Sequence, residues 1–149
     1  MGPPFSIRLA ALQDLPRCQA LRHEVFVLGQ GVAEDLEIDG LDSASEHLLA
    51  LDATGQTVGT ARLRPVGGGC LKAERVAVLV GWRGHGLGRA LMAAIEERAR
   101  ALGLARVVLN AQVPVLGFYE RLGYVAQGPV FHEAGIPHLR MERLIPDTC

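Results

Sequence analysis

The 149-residue sequence has one lysine, Lys72, among fifteen cationic residues, only 5% aromatic side chains, and three cysteines. Each scarcity excludes something. A phosphate-binding P-loop needs a Gly-Lys pair followed by Ser or Thr, and none can be written here. Cys18, Cys70 and Cys149 form neither a Cys-x-x-Cys pair nor an even set, so no disulfide framework or zinc site is indicated and reduced thiols are expected. A formal net charge of −1 supplies no basic field, so no nucleic-acid partner is expected. No apolar run approaches the ~18 to 20 residues of a membrane helix, and no basic-then-apolar leader is visible, so the expectation is a cytoplasmic protein without a membrane partner. Met1 to Ser6 formally matches a myristoylation pattern, but Pro3 and Pro4 stiffen it and it reads as a plain terminus.

What is present centres on Glu74 to Leu102. Val76-Ala77-Val78-Leu79-Val80 reads as a buried strand, followed at once by Arg83-Gly84-His85-Gly86-Leu87-Gly88-Arg89 and then a helical pattern. Glycine at every second position removes the Cβ atoms that would hold a ligand off the backbone and permits φ > 0. The helix start adds unpaired N–H groups and the positive end of its dipole, and Arg83 and Arg89 flank it. A phosphate or pyrophosphate suits such a turn. In the helix, Leu87, Ala90, Leu91, Ala94, Ile95, Ala99 and Leu102 keep the spacing of one buried face, while Arg89, Glu96, Glu97 and Arg100 fall mostly elsewhere. Gly103 then supplies the stop.

A dinucleotide fingerprint needs a third small residue where Leu91 stands and an acidic residue about 20 positions on. The next strand ends in Asn110 and Gln112 instead. A glycine turn serving only to pack strand on helix remains as the bland alternative.

Along the chain, Phe5 to Leu9 alternates as a strand, and Asp14 before Leu15-Pro16 starts a helix expected to run to Leu28. From Glu34 to Glu46 there are six carboxylates and no cation, in a loop or short irregular helix. His47–Asp52 and Thr57–Pro65 read as a hairpin, and three glycines lead into the central strand. Then come a strand at Ala105–Gln112, a short helix at about Val115–Leu122, and strands near Tyr124–Phe131 and His138–Leu144. One domain over residues 1–149, long enough to bury roughly 70% of its unfolded surface, is expected. Its class is α/β in the α+β sense, a mixed sheet with helices on both faces.

The Val-x-Val strand followed by Arg83-x-x-Gly86-x-Gly88 resembles the acetyl-coenzyme A loop of the GNAT N-acetyltransferases. Nearly the whole chain shares the resemblance, and it is closest to the ElaA-like and YjcF-like branch. Its marks are Arg22-His23-Glu24-Val25-Phe26-Val27, Glu37-Ile38-Asp39, Ser45-Glu46-His47, Leu109-Asn110-Ala111-Gln112, Phe118-Tyr119 and Ala134-Gly135-Ile136-Pro137-His138. The branch usually carries glutamate where Gly29 stands and proline where Val80 stands. The resemblance implies the acyl-CoA N-acyltransferase fold, in the order β1-α1-α2-β2-β3-β4-α3-β5-α4-β6-β7, and acetyl-CoA as co-substrate.

It further implies that Val76, Ala77 and Val78 meet the pantetheine arm through their backbone, that Arg83 to Arg89 hold the pyrophosphate, and that Tyr119 is the general acid. A phenol of pKa about 10 can give a proton to a thiolate. Glu74 is the leading candidate for the base, with Glu37, Asp39, His47 and His138 as rivals. Adjacent Arg75 could equally hold Glu74 in a surface pair, and Tyr119 could be a core aromatic. The acceptor, a small-molecule or protein amine, is not legible, nor is the oligomeric state, for which a homodimer is one option. A non-catalytic acetyl-CoA sensor or scaffold is the alternative function.

Asp35, Glu37, Asp39, Gly40 and Glu46 nearly spell a calcium loop. Against it stand the longer Glu37 at the third position, a charge at Asp42 where a hydrophobe belongs, and a following segment that reads as a strand. The six carboxylates are instead expected to border the entrance of a cationic amine, with a merely solvated loop as the alternative. His47, His132 and His138 lack metal-ligand spacing and read first as hydrogen-bonded structural histidines.

Overall fold

The computed structural model describes residues 3–146. Met1 and Gly2, where the myristoylation-like pattern begins, and Cys149 lie outside the described residues. Seven strands form one sheet in the order β1-β2-β3-β4-β5-β7-β6. They are β1 (Phe5–Leu9), β2 (Glu46–Asp52), β3 (Thr57–Gly67), β4 (Cys70–Val78), β5 (Arg106–Gln112), β6 (Val125–Glu133) and β7 (Ile136–Leu144). The helices are α1 (Leu15–Arg22), α2 (Glu34–Glu37), α3 (Leu87–Ala101) and α4 (Leu116–Arg121). The sheet is mixed as expected: β4 runs parallel to β5, whereas β1–β2, β2–β3, β5–β7 and β6–β7 are antiparallel. The β4–β5 ladder pairs only Cys70–Ala73 with Arg106–Leu109.

The chain forms two compact units, Met1–Leu63 with Arg75–Ala94, and Arg64–Glu74 with Ile95–Cys149. In the first, Leu21, Val25 and Ala77 form a buried cluster against which Phe26 and Leu79 pack. Gly59 is required here by close approach: a Cβ on it would stand 3.2 Å from Leu87 Cδ2 and 3.3 Å from the Ala77 carbonyl. Leu87 itself is 1% exposed, and burying a leucine side chain is worth about 1.5 to 3 kcal/mol. The start of α3 is thereby seated on β3.

The first helix reaches Leu28 as expected, but only Leu15–Arg22 is α-helical: after Arg22 the spiral widens into a π-helical turn at His23–Leu28, and Leu28 is 71% exposed. On α3, Leu87, Leu91, Ile95 and Ala99 are buried as the spacing required, but Leu102 is 40% exposed and Glu96 is buried. The reason for the second correction lies in the other unit. Tyr124 donates to Glu96 Oε2 at 2.9 Å and Arg143 donates to Oε1 at 2.7 Å, so the carboxylate enters the core with both oxygens satisfied. Among the described residues no helix is long and apolar enough to cross a membrane.

Candidate active site

The first unit carries the glycine loop. Leu79 N–H donates to the Val58 carbonyl at 3.0 Å and ties the end of β4 to β3. A single turn at Val80–Trp82 follows, and the Trp82 ring meets Phe5 and His85 edge-on, each at 6.2 Å between centroids. Gly84 and Gly86 both stand at φ +80°, where L side chains are strained, and a Cβ on either would meet nothing within 4 Å. Packing therefore does not require these glycines. Backbone conformation does, and it brings the chain into α3 with the unpaired first-turn amides that every helix carries. A cleft of about 490 Å³ lies beside the loop, lined by Glu24, Val25, Gly29 and Gln30 of the π turn and its exit and by Leu79, Val80, Gly81 and Arg83. Gly29, where the branch usually has glutamate, is thus on its wall.

The acidic stretch is not the open anionic rim that its composition suggested. Glu37 receives Arg22 at 2.7 Å and Arg75 at 2.9 Å, Asp42 receives Arg22 at 2.8 Å and Arg62 at 3.1 Å, and Asp39 receives Arg62 at 2.8 Å. Arg22 and Arg62 are fully buried. Glu37 and Asp42 are therefore buried counter-ions, Asp39 meets the buried Arg62 from an exposed position, and Glu34 and Asp35 are exposed. Burial alone would raise the Asp42 carboxyl, but hydrogen bonds from Arg22 and Gln19 outweigh it and hold the group down at about 2. The Arg62 guanidinium holds Asp39 well below the usual carboxylate range. Calcium finds no loop here, because Glu37 and Asp39 are bound to arginines and the segment after Glu46 is strand β2. Sequence spacing did not single out Arg22 or Arg62. The available signal was the absence of any local cation between Glu34 and Glu46, which implies partners from other elements.

Arg75 does not hold its neighbour Glu74. It reaches Glu37 and Asp39, and it does so from φ +53°, a left-handed conformation inside a strand. Glu74, in the second unit, instead accepts from Nε and NH2 of Arg64, with Lys72 Nζ at 3.4 Å. A carboxylate gripped by two cations is poorly placed to take up a proton.

Also in the second unit, Tyr119 lies on α4, entered from β5 through the turn Val113–Val115. Its ring meets Phe118 at 5.0 Å and Tyr124 at 6.0 Å. Burial pushes its phenol up to about 12, so the proton is retained at neutral pH. Among the described residues its hydroxyl has no hydrogen-bond partner, whereas that of Tyr124 is committed to Glu96. Packing and an available proton coexist at Tyr119.

The acetyltransferase (GNAT) domain model matches residues 15–145. The chain belongs to the GNAT acetyltransferase family. Within the family it stands in the ElaA-like and YjcF-like branch. It is 41% identical over 122 residues to the uncharacterized N-acetyltransferase YjcF of Bacillus subtilis, covering 81% of this chain and 86% of that protein. The crystal structure of an acyl-CoA N-acyltransferase from Pseudomonas aeruginosa matches with a TM-score of 0.82 and 33% identity, over 95% of this chain and 99% of that one. Escherichia coli ElaA matches with a TM-score of 0.83 and 26% identity, over 94% and 99%. In this GNAT chain, Val76, Ala77 and Val78 form the end of β4, Arg83 to Arg89 the glycine loop and the first turn of α3, and Tyr119 the middle of α4.

Proposed function

We propose that the protein transfers an acetyl group from acetyl-CoA to an amine by direct attack in a ternary complex. The observation that carries this reading is the glycine loop, with two left-handed glycines, an open front and a 15-residue helix behind it. In this reading the pyrophosphate is held by backbone amides of Arg83 to Arg89, including Gly84, His85, Gly86, Leu87 and Gly88, with the two arginines adding charge. Backbone groups of Val76 and Val78, with Ala77 between them, take the pantetheine arm as an added strand would be taken.

Acetyl transfer from a thioester needs an unprotonated amine, help for the oxyanion, and a proton for the departing thiolate. An amide near Val78 serves the oxyanion. Tyr119 serves the thiolate, for a phenol that keeps its proton at neutral pH and has no competing acceptor can give it up when a stronger base appears beside it.

The experiment is an amine panel with acetyl-CoA, following free thiol, together with thermal denaturation in coenzyme A. At 100 times the dissociation constant, coenzyme A should stabilise the fold by about 2.7 kcal/mol. Thiol release above the hydrolytic background with at least one amine supports the transferase. Stabilisation without release over the whole panel would move the reading to an acetyl-CoA sensor.

A further inference from the structure

The register of the second unit sorts its polar side chains onto two faces. Directly paired residues of antiparallel strands point to the same side, and His138 on β7 pairs with Gln112 on β5 and with Phe131 on β6. These three therefore share one face at the end of β5. Arg143, of opposite parity on β7, points to the other face, where it reaches Glu96 of α3. Tyr124 binds the same carboxylate and its ring meets Tyr119. Tyr119 thus belongs to the α3 side of the sheet and His138 to the other side.

His138 is held in one tautomer. Its Nδ1 stands 2.7 Å from the Ile136 carbonyl, and a carbonyl only accepts, so Nδ1 carries the proton and Nε2 of the neutral ring keeps a lone pair. The ring is stacked on Phe131 at 5.9 Å and 23°. Among the described residues Nε2 has no protein partner, yet it is not sealed: the one sealed side-chain atom without a partner is His47 Nδ1.

That difference separates the two histidines. His47 donates Nε2–H to the Asp42 carbonyl at 2.9 Å and its remaining nitrogen is closed off. Glu37 and Asp39 are bound to arginines, and Glu74 to Arg64 and Lys72. Of the five base candidates that the sequence offered, Glu74, Glu37, Asp39, His47 and His138, the last joins a fixed orientation to a lone pair without a partner among the described residues. The charged groups that the register puts on its face are Glu133 on β6, which accepts from Asn110 at 3.3 Å, Arg140 and Glu142 on β7, 3.9 Å apart, and Arg106 at the far end of β5. Asn110 and Gln112 of β5 and the turn Val113–Val115 bring no charge.

Resting on the acetyltransferase reading, we propose that His138 Nε2 is the proton acceptor of the transfer. As the amine nitrogen bonds to the acetyl carbon, the carbonyl π pair moves onto oxygen and the N–H proton passes to Nε2. When that pair returns, the C–S bond breaks and the thiolate takes the Tyr119 hydroxyl proton. The imidazolium then loses its proton to water and the tyrosinate regains one from water, so the chain is unchanged and the products are amide and thiol. Acid and base act from opposite faces, and neither has to serve both protons.

The test is His138→Asn, whose amide can still donate to the Ile136 carbonyl, beside Glu74→Gln and the parent protein. Each is assayed with the best amine of the panel for kcat/KM against pH and for coenzyme A affinity. His138→Asn should bind coenzyme A within about twofold, lose about 10² to 10⁴ in kcat/KM, and lose the acid limb of the profile, while Glu74→Gln keeps that limb. Retention of the limb in His138→Asn, or its loss in Glu74→Gln, overturns the assignment and leaves the transferase intact. Absence of thiol release by the parent over the whole panel overturns the reading and this assignment together. Should His138→Asn not fold, ¹⁵N NMR of the parent's imidazole decides: a neutral ring protonated on Nδ1 is expected, and protonation on Nε2 would overturn the proposal.

Discussion

Glu37 and Arg75 are 38 residues apart in sequence and meet through Oε2 and Nε at 2.9 Å. Arg75 makes that contact from φ +53°, a conformation that costs a non-glycine residue about 1 to 2 kcal/mol. The ion pair and the twisted strand therefore act on the same residue in opposite senses.

Replacing Arg75 separates the two. Arg75→Ala removes the guanidinium and keeps the backbone cost, whereas Arg75→Gly removes both. Urea denaturation should show Arg75→Gly more stable than Arg75→Ala by about 1 kcal/mol, the reverse of the usual order in a strand. Alanine the more stable of the two would mean that the strand relaxes once the arginine is gone.

The buried arginine network makes stability depend on acid pH. Asp42 titrates at about 2 in the fold against an ordinary 3.8, so its contribution is complete above about pH 4 and is lost as pH falls towards 2. Asp39 is lowered in the same direction by Arg62. The urea midpoint should fall steeply between pH 4 and pH 2, and less steeply in Asp42→Asn measured over the same range. Equal slopes in the two proteins would place the acid sensitivity elsewhere.

Gly86→Glu should abolish the stabilisation by coenzyme A, because a carboxylate enters the turn proposed to hold the pyrophosphate. Gly86→Ala carries the same backbone strain without the charge and is the control. Its loss of base stability should match that of Gly86→Glu to within about 1 kcal/mol. Full coenzyme A stabilisation of a folded Gly86→Glu protein would sink the phosphate assignment.

The two neighbouring tyrosines should respond in opposite ways. Tyr119→Phe deletes a hydroxyl without a partner, so stability should stay within about 0.5 kcal/mol while turnover falls by about 10² to 10⁴. Tyr124→Phe leaves Glu96 a bond short in a buried site, and stability should fall by about 1 to 3 kcal/mol. Paired melting and turnover measurements decide, and turnover within a few-fold of the parent in Tyr119→Phe would make Tyr119 a packing residue only.

What could be read in advance was whatever is encoded by neighbours. The glycine loop and α3 carry their signals within a few residues, and the strands emerge within a few residues of their expected limits for the same reason. Two features escaped, each with a long-range cause. The helical spacing points Glu96 outward, and it is buried because of Tyr124 and Arg143, which lie 28 and 47 residues away. The acidic stretch looked uncompensated because Arg22, Arg62 and Arg75 come from three separate elements. Which nitrogen of His138 is free is set by a carbonyl two residues away, a choice of rotamer that composition does not record.

The π turn at His23–Leu28 holds one residue more than a regular spiral would need over that span. Removing one residue there would restore the α-helical pitch over the same span, and Gly29 and Gln30 would keep their places on the cleft wall beside Glu24, because six π-helical residues turn the chain about as far as five α-helical ones. The extra residue is a local insertion that the widened turn absorbs, and a chain one residue shorter between Arg22 and Gly29 is expected to keep the same cleft lining with a regular α-helix in its wall.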